Sequence, residues 1–206
     1  MNRQELFIHL KETTHALRNP LIADAFEKVD RKDFVPKEYA SQAYEDYPLP
    51  LGYGQTISQP TTVAFMLELL DPKEGHRILD VGSGSGFTTA LLASIVGPSG
   101  SVIGVEILPN LLAQSKNNIA SYSLPNVSLV QAGKEFGLPA QEPYDRILVS
   151  AAAEHFPEKL IEQLTQGGIL VIPVRESIYK ITRTKEGHTK ESYPGFLFVP
   201  LVPSRS

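Results

Sequence analysis

Short apolar segments alternate with helical stretches through the second half of the chain, and this alternation constrains the fold most. Five apolar segments are predicted to form strands: residues 77–81, 101–106, 127–130, 144–149 and 169–173. Helices are predicted at residues 87–96, 109–121 and 157–164, and Gly167-Gly168 is a stop signal for the last of them. Near-continuous apolar strands separated by helices are typical of a parallel sheet covered on both faces. The sequence therefore predicts an α/β fold with a mainly parallel central sheet.

The segments on either side of this core differ from it. Pro and Gly residues make 44–60 an extended or looped stretch, and helices are predicted at residues 2–18, 20–29 and 61–70. Two late strands, with antiparallel pairing as one option, are predicted at residues 178–183 and 195–202. No linker-like stretch divides the 206 residues. We therefore predict one domain over 1–206, with N-terminal helices and a loop at 1–60 and the α/β core at 61–206.

Composition excludes several classes of site and partner. The chain has no cysteine, which excludes disulfides, thiolate zinc sites and a cysteine nucleophile. Its five histidines lack metal-ligand spacing, so we predict no metal. Nineteen Lys and Arg residues against 23 Asp and Glu residues give a net charge of −4, which argues against nucleic acid as a partner. No apolar run approaches the ~18 residues of a membrane span, and no signal-peptide pattern is present. We expect a cytoplasmic protein that does not bind membranes.

The most informative motif is a glycine-rich turn at residues 80–87, which follows a predicted strand and precedes a predicted helix. Glycines there permit a tight turn and let the main chain approach a ligand closely. Glu106 ends the next strand, twenty residues after Gly86. A carboxylate at that position can accept hydrogen bonds from both hydroxyls of a ribose. The motif therefore predicts these cofactor-binding residues: Asp80, Gly82, Ser83, Gly84, Gly86 and Glu106.

The spacing of the turn also indicates which nucleoside it binds. The dinucleotide motif Gly-x-Gly-x-x-Gly would require Gly at position 87, where this chain has Phe87. Asp80 would repel a pyrophosphate but suits a cationic amino-acid group. The pattern acidic-x-Gly-x-Gly-x-Gly resembles the first motif of the S-adenosylmethionine-dependent methyltransferases, which have a Rossmann-like fold. The resemblance implies S-adenosylmethionine as cofactor and S-adenosylhomocysteine as product; an NAD site or a turn without ligand are the alternatives.

A second motif precedes the core. The segment Gly54-Gln55-Thr56-Ile57-Ser58-Gln59-Pro60 closely resembles the Gly-x-x-Ile-Ser-x-Pro signature of the protein-L-isoaspartate O-methyltransferases. Further segments fit the same family, so that the resemblance covers about residues 28 to 202: residues 31–36, 43–46, 151–153 with Pro157, 167–174 and 198–201. The two motifs together are much stronger evidence of similarity to this family than either motif alone.

The resemblance implies a reaction and a substrate. The family methylates the free α-carboxylate of L-isoaspartyl residues, and also D-aspartyl residues, in aged proteins and peptides. The methyl ester then cyclises without enzyme to a succinimide, which opens partly to normal aspartate. The partners implied are isoaspartyl-containing peptides and damaged proteins, and we expect the enzyme to be a monomer.

The resemblance also implies which residues contact the substrate. Ser58 is predicted to orient the substrate carboxylate, with main-chain contacts from Thr56 and Ile57. The alternative for Ser58 is a cap for the helix that starts near Pro60. A carboxylate with a pKa of ~4 is ionised at neutral pH, so no general base is required. His155 is interpreted as a solvated loop residue, and Asp46 as either a wall of the site or a surface acid.

One segment departs from the family pattern. Where the family usually has Gly-Asp-Gly after the third strand, with the Asp near the adenine amine, this chain has Ala132-Gly133-Lys134. Glu135 is the candidate substitute. The departure keeps two alternatives open. One is a methyltransferase of the same fold that acts on another carboxylate or a small molecule. The other is a non-catalytic binding protein with an impaired cofactor site.

Overall fold

The N-terminal helices form as predicted, but the first is shorter. In the computed structural model, which describes residues 1–201, helix α1 covers Arg3–Ile8 and continues as a π-helical segment at His9–Thr13. The side chain of Asn2 accepts the main-chain N–H of Glu5 in a capping box. Helix α2 covers Pro20–Lys28, with Pro20 at its first position. The helix predicted over residues 2–18 therefore ends five residues early.

The stretch predicted as a loop at residues 44–60 contains a small hairpin. Two 3-10 turns, Arg31–Phe34 and Lys37–Gln42, lead into it. Strand β1 (Leu49–Gly52) pairs antiparallel with β2 (Gln55–Ile57), and helix α3 follows at Pro60–Leu70. Ser58 therefore lies between the hairpin and the start of α3.

A seven-stranded sheet occupies the rest of the described chain. Its elements in chain order are β3 (Arg77–Val81), α4 (Phe87–Val96), β4 (Ser101–Glu106), α5 (Pro109–Ala120), β5 (Val127–Gln131), β6 (Tyr144–Val149), α6 (Glu158–Glu162), β7 (Leu164–Val174), β8 (Ser177–Thr184) and β9 (Gly187–Pro194), with a 3-10 turn at Pro139–Gln141 before β6. The strand order is β5-β4-β3-β6-β7-β8-β9. The pairs from β5 to β7 are parallel, and β8 and β9 join antiparallel. The predicted α/β fold with a mainly parallel sheet is confirmed.

Alternating residues of the strands supply two apolar layers. Ile78 and Val102 face a layer that includes α3, α4 and the N-terminal helices. Leu79 and Ile103 face the opposite layer, which includes α6. Because both faces are covered, the strands are apolar along their length. None of the helices within residues 1–201 is long and apolar enough to cross a membrane.

The predicted role of Gly167-Gly168 as a helix stop is wrong. Helix α6 ends at Glu162, and both glycines lie inside β7. The pairing of β6 with β7 jumps there: Tyr144 pairs with Leu164, but Arg146 pairs with Ile169. Gly167 has a φ of +79°, which glycine adopts without strain. The glycines thus accommodate an irregularity within the strand, which accounts for a signal that resembled a helix end.

The last strand was predicted in the wrong place. The expected strand at residues 178–183 is confirmed as β8, but β9 comes directly after the polar turn, and residues 195–201 contribute only an isolated bridge between Ala152 and Pro200. Val202, the end of the predicted strand, lies outside the described residues. Strand β9 is mostly exposed and polar, so it carries none of the apolar pattern that marks a buried strand.

Candidate active site

One cavity lies at the carboxyl ends of the parallel strands, and it joins the two motifs. It holds about 1030 Å³, including solvent at its mouth, and the residues at or just after the ends of β3, β4, β5 and β6 line it. Eight of the ten predicted site residues are in its wall: Thr56, Ile57, Ser58, Gly82, Ser83, Gly84, Glu106 and Glu135. The carboxyl edge of an open α/β sheet is the usual place for a ligand site.

The glycine turn is held against the end of β4. The main-chain N–H groups of Gly82 and Ser83 donate to the carbonyl of Val105, at 2.8 and 3.1 Å. Gly82, Gly84 and Gly86 all have positive φ, at 78°, 53° and 88°. Gly86 is outside the cavity wall: a Cβ there would meet Ile119 of α5 at 3.0 Å. Gly86 is therefore required for the packing of α4 against α5.

The Glu106 carboxylate braces the turn from the end of β4. Its Oε2 accepts the N–H of Gly84 and its Oε1 accepts the N–H of Leu108, both at 2.9 Å. The residue is 5% exposed and lines the cavity. Because a carboxylate can accept about four hydrogen bonds, Glu106 retains capacity for the hydroxyls of a ribose.

Asp80 lies beneath the turn and outside the cavity wall. It is fully buried, and its Oδ2 accepts the hydroxyls of Thr88 and Thr89 at 2.8 and 2.6 Å. Burial raises the pKa of Asp80 to about 6, against the two threonine hydrogen bonds that lower it, and nearby Glu106 raises it further. The structure thus places Asp80 as a buried support of the turn.

Two buried oxygens at the turn test whether the site fits the implied cofactor. Within residues 1–201, Asp80 Oδ1 and Ser83 Oγ are buried and have no hydrogen-bond partner. Buried polar atoms are almost always paired, so the unpaired oxygen of Ser83, which lines the cavity, indicates a ligand with a complementary donor. A cationic amino-acid group and a ribose, which the carboxylates of Asp80 and Glu106 suit, belong together in S-adenosylmethionine. The residues present fit this cofactor.

Ser58 does not cap α3. The N-cap position is Gln59, and its side chain accepts no main-chain N–H of the helix. The capping alternative for Ser58 is therefore wrong. Its hydroxyl makes no hydrogen bond to another described residue, and Ser58 lines the cavity beside Thr56 and the buried Ile57.

The segment that departs from the family pattern follows β5 and also contributes to the cavity wall. Ala132, Gly133 and Glu135 line the cavity. A Cβ built on Gly133 would meet no atom within 4 Å, and its φ is not positive. The structure therefore has room for a side chain at Gly133, and it brings Glu135 to the region where the substitute acid was predicted.

Sequence reasoning left part of the wall unassigned. Ser150 and Ala151, after β6, line the cavity, as do Val199, Pro200 and Leu201. Small or apolar residues carry no chemical signal of their own, and the sequence left residues 199–202 open between contact with a bound peptide and a core strand. His155 is exposed and outside the wall, and Asp46 is also outside the wall but mostly buried.

The fold and the cavity define an S-adenosylmethionine-dependent methyltransferase. The chain belongs to the protein-L-isoaspartate(D-aspartate) O-methyltransferase family, whose sequence model matches residues 1–206. It is 42% identical over 186 residues to the protein-L-isoaspartate O-methyltransferase of Ignicoccus hospitalis, covering 88% of each chain. It is also 42% identical over 206 residues to that of Methanopyrus kandleri, covering 97% of this chain and 91% of the relative.

A solved structure agrees with this assignment. The crystal structure of a proposed protein-L-isoaspartate O-methyltransferase from Plasmodium falciparum, in complex with S-adenosyl-L-homocysteine, superposes with a TM-score of 0.88. The two chains are 28% identical, and the match covers 98% of this chain and 99% of the other. The similarity therefore extends over the N-terminal helices as well as the sheet.

Proposed function

We propose that this protein transfers a methyl group from S-adenosylmethionine to the free α-carboxylate of L-isoaspartyl residues, and of D-aspartyl residues, in damaged proteins. The observation that carries the proposal is the shared cavity: the Thr56–Ser58 loop, the Gly82–Ser85 turn and Glu106 form one wall. A carboxylate bound at Ser58 and a cofactor bound at the turn would therefore meet in one cavity. Membership of the family supports the choice of substrate.

The chemistry of the wall suits an ionised nucleophile. When bound, the cofactor supplies an electrophilic methyl group on a sulfonium. No Lys, Arg or His is in the cavity wall within the described residues. The substrate carboxylate is already ionised at neutral pH, so no residue has to remove a proton. Without a cation to hold its electrons, the carboxylate keeps its nucleophilicity, and the Ser58 hydroxyl orients it by a hydrogen bond.

The remaining residues hold and enclose the reactants. Glu106 is proposed to bind the ribose, and the main chain at Gly82, Ser83 and Gly84 to contact the cofactor. Asp80 supports the turn from below, and its charge complements the cationic end of the cofactor. Apolar residues of the wall, including Val199 and Leu201, exclude water, which preserves the alignment of the two reacting atoms.

Paired peptides test the proposal. We expect radiolabelled S-adenosylmethionine to label an isoaspartyl peptide as a base-labile ester, and not the same peptide with a normal aspartyl residue. A D-aspartyl peptide should be labelled as well. Equal labelling of the isoaspartyl and aspartyl peptides would contradict the proposal. Cofactor binding without labelling of any peptide would indicate another substrate, and absence of cofactor binding would indicate a non-catalytic protein, as the Ala132–Lys134 departure suggests.

We further propose that the enzyme acts as a monomer in the cytoplasm and does not bind nucleic acid. We also propose that the chain forms one domain, with the N-terminal helices and the substrate-side loop in residues 1–60 and the cofactor-binding core in residues 61–206. The net charge of −4 supports the absence of a nucleic-acid partner. Light scattering coupled to size-exclusion chromatography would measure the mass in solution, and a dimer mass would refute the monomer.

A further inference from the structure

The Asp46 carboxylate makes four hydrogen bonds, three of them to residues that closely follow Ser58 in the chain. Its Oδ1 accepts the main-chain N–H of Thr61 at 2.9 Å. Its Oδ2 accepts the Thr61 hydroxyl at 2.7 Å and the Gln59 side-chain amide at 3.1 Å, and His9 Nε2 lies 3.1 Å away. The Asp46 side chain is 13% exposed. This carboxylate therefore joins the N-terminal segment to the first turn of α3.

The hydrogen bonds keep this carboxylate charged. Burial alone would raise the pKa of Asp46, but the bonds from Thr61, Gln59 and His9 together lower it below its usual value. The side chain of Gln59, the N-cap residue of α3, accepts no main-chain N–H of the helix. Asp46 therefore does, from an earlier segment of the chain, what an N-cap side chain does within a helix.

Arg31 holds the main chain at Ser58 itself. It is 3% exposed, and its Nη2 donates to the carbonyls of Ser58 and Tyr47, each at 3.2 Å. Its Nη1 donates to the carbonyl of Ala43 at 2.6 Å. The Ser58 carbonyl and the Thr61 N–H are thus both fixed by charged side chains from the segment before the hairpin.

We propose that Asp46 is a positioning residue for the methyl transfer, which fixes the main chain after Ser58 so that the Ser58 hydroxyl faces the substrate carboxylate. Asp46 is outside the cavity wall, so it acts through Ser58 and Thr61. The inference rests on the proposed function. It gives the N-terminal segment a part in catalysis, because His9 belongs to the same set of hydrogen bonds.

The proposal predicts a separation of kinetic effects. Displacement of a reacting group by about 1 Å can lower the rate by roughly a hundredfold. Asp46→Asn keeps the shape of the side chain, but it replaces one accepting oxygen by an amide N–H₂ group. That group cannot accept hydrogen bonds from the donors that surround Asp46. We expect kcat for an isoaspartyl peptide to fall by about tenfold to a hundredfold. The dissociation constant of S-adenosylmethionine should stay within about twofold, because the cofactor part of the wall does not involve Asp46.

Glu68→Gln is the matched control. Glu68 is similarly buried, at 10% exposure, and accepts the main-chain N–H groups of Arg18 and Asn19 at 2.7 and 2.6 Å. It lies near the far end of α3, away from the cavity. This variant should lose thermal stability as Asp46→Asn does, while its kcat stays within about twofold of the wild type.

A second pair of variants covers the case in which Asp46→Asn does not fold. Thr61→Val removes the hydroxyl that donates to Asp46, and Thr61→Ser keeps it. We expect kcat to fall in the first and to recover in the second. The proposal would be overturned if folded Asp46→Asn had the same kcat as the wild type. If only Thr61→Val folds, an unchanged kcat in that variant would overturn it. An equal fall in Glu68→Gln would do the same. If the wild type itself fails to label the isoaspartyl peptide, the proposed function fails, and the two failures are thereby distinguished.

Discussion

The buried Asp80 carboxyl makes a prediction about pH that can be worked through quantitatively. Its pKa is about 6 in the folded protein, against an ordinary value of 3.8. An acid with a raised pKa contributes stability that is fully present below the unfolded pKa and is lost as the pH rises through the folded pKa. The shift of roughly two pH units corresponds to about 3 kcal/mol, of which about 2 kcal/mol falls between about pH 4.5 and about pH 7.5.

Asp80→Asn removes this ionisation with little change of shape. The amide oxygen can still accept the hydroxyls of Thr88 and Thr89, and the amide nitrogen takes the place of the unpartnered Oδ1. Relative to the wild type, the free energy of unfolding of the variant should rise by about 2 kcal/mol between about pH 4.5 and about pH 7.5. The other carboxyl groups are common to both proteins, so their titration cancels in the difference.

Urea unfolding followed by circular dichroism, at several pH values in this window, measures that difference. Asp46→Asn provides a control whose difference from the wild type should stay nearly constant in this window, because the pKa of Asp46 is lowered below its ordinary value of 3.8 and its titration lies at lower pH. Its stabilising contribution is present above the unfolded pKa and is lost as the pH falls. A difference between Asp80→Asn and the wild type that does not change with pH would refute the argument that burial dominates this carboxyl.

Three further predictions concern the cavity wall. Glu106→Gln should weaken S-adenosylmethionine binding by about 1.5–3 kcal/mol, and calorimetry with unchanged affinity would contradict its role at the ribose. Ser58→Ala should lower kcat by about tenfold or more at unchanged cofactor affinity; methylation of an isoaspartyl peptide at the wild-type rate would show that the hydroxyl is dispensable. Glu135→Ala should weaken cofactor binding by about 1 kcal/mol, and Gly133→Asp should add little. The reverse pattern in the same titration would show that Glu135 does not substitute for the missing acid.

The sequence predicted the parts of the fold whose signal is local. The strands Arg77–Val81, Ser101–Glu106 and Tyr144–Val149 were predicted residue for residue, because buried parallel strands are apolar throughout. Strand β9 was missed because an exposed, polar edge strand is defined by its pairing with β8 and not by its own hydrophobicity. The ending of α6 was missed because glycines can serve an irregular strand as well as a helix end.

The same distinction holds for the site. The glycine turn and Ser58 were predicted from sequence motifs, and in the structure both line the same cavity. The position of Asp80 behind the turn could not be predicted from the sequence, because a carboxylate before a glycine turn can face either the ligand or the following helix. The contacts of Asp46 depend on residues 37 positions before it and 13 and 15 after it, which no local pattern reveals.

The absence of Lys, Arg and His from the described cavity wall has a consequence for how substrate arrives. The only ionisable side chains in that wall are Glu106 and Glu135, and the chain as a whole is negative. Long-range attraction therefore gives an anionic peptide no help in finding the cavity. Salt weakens the mutual repulsion of like charges, with a screening length of about 8 Å at physiological ionic strength. Association with acidic protein segments should accordingly become faster as salt is added, whereas an enzyme that recruits its carboxylate with arginine would associate more slowly.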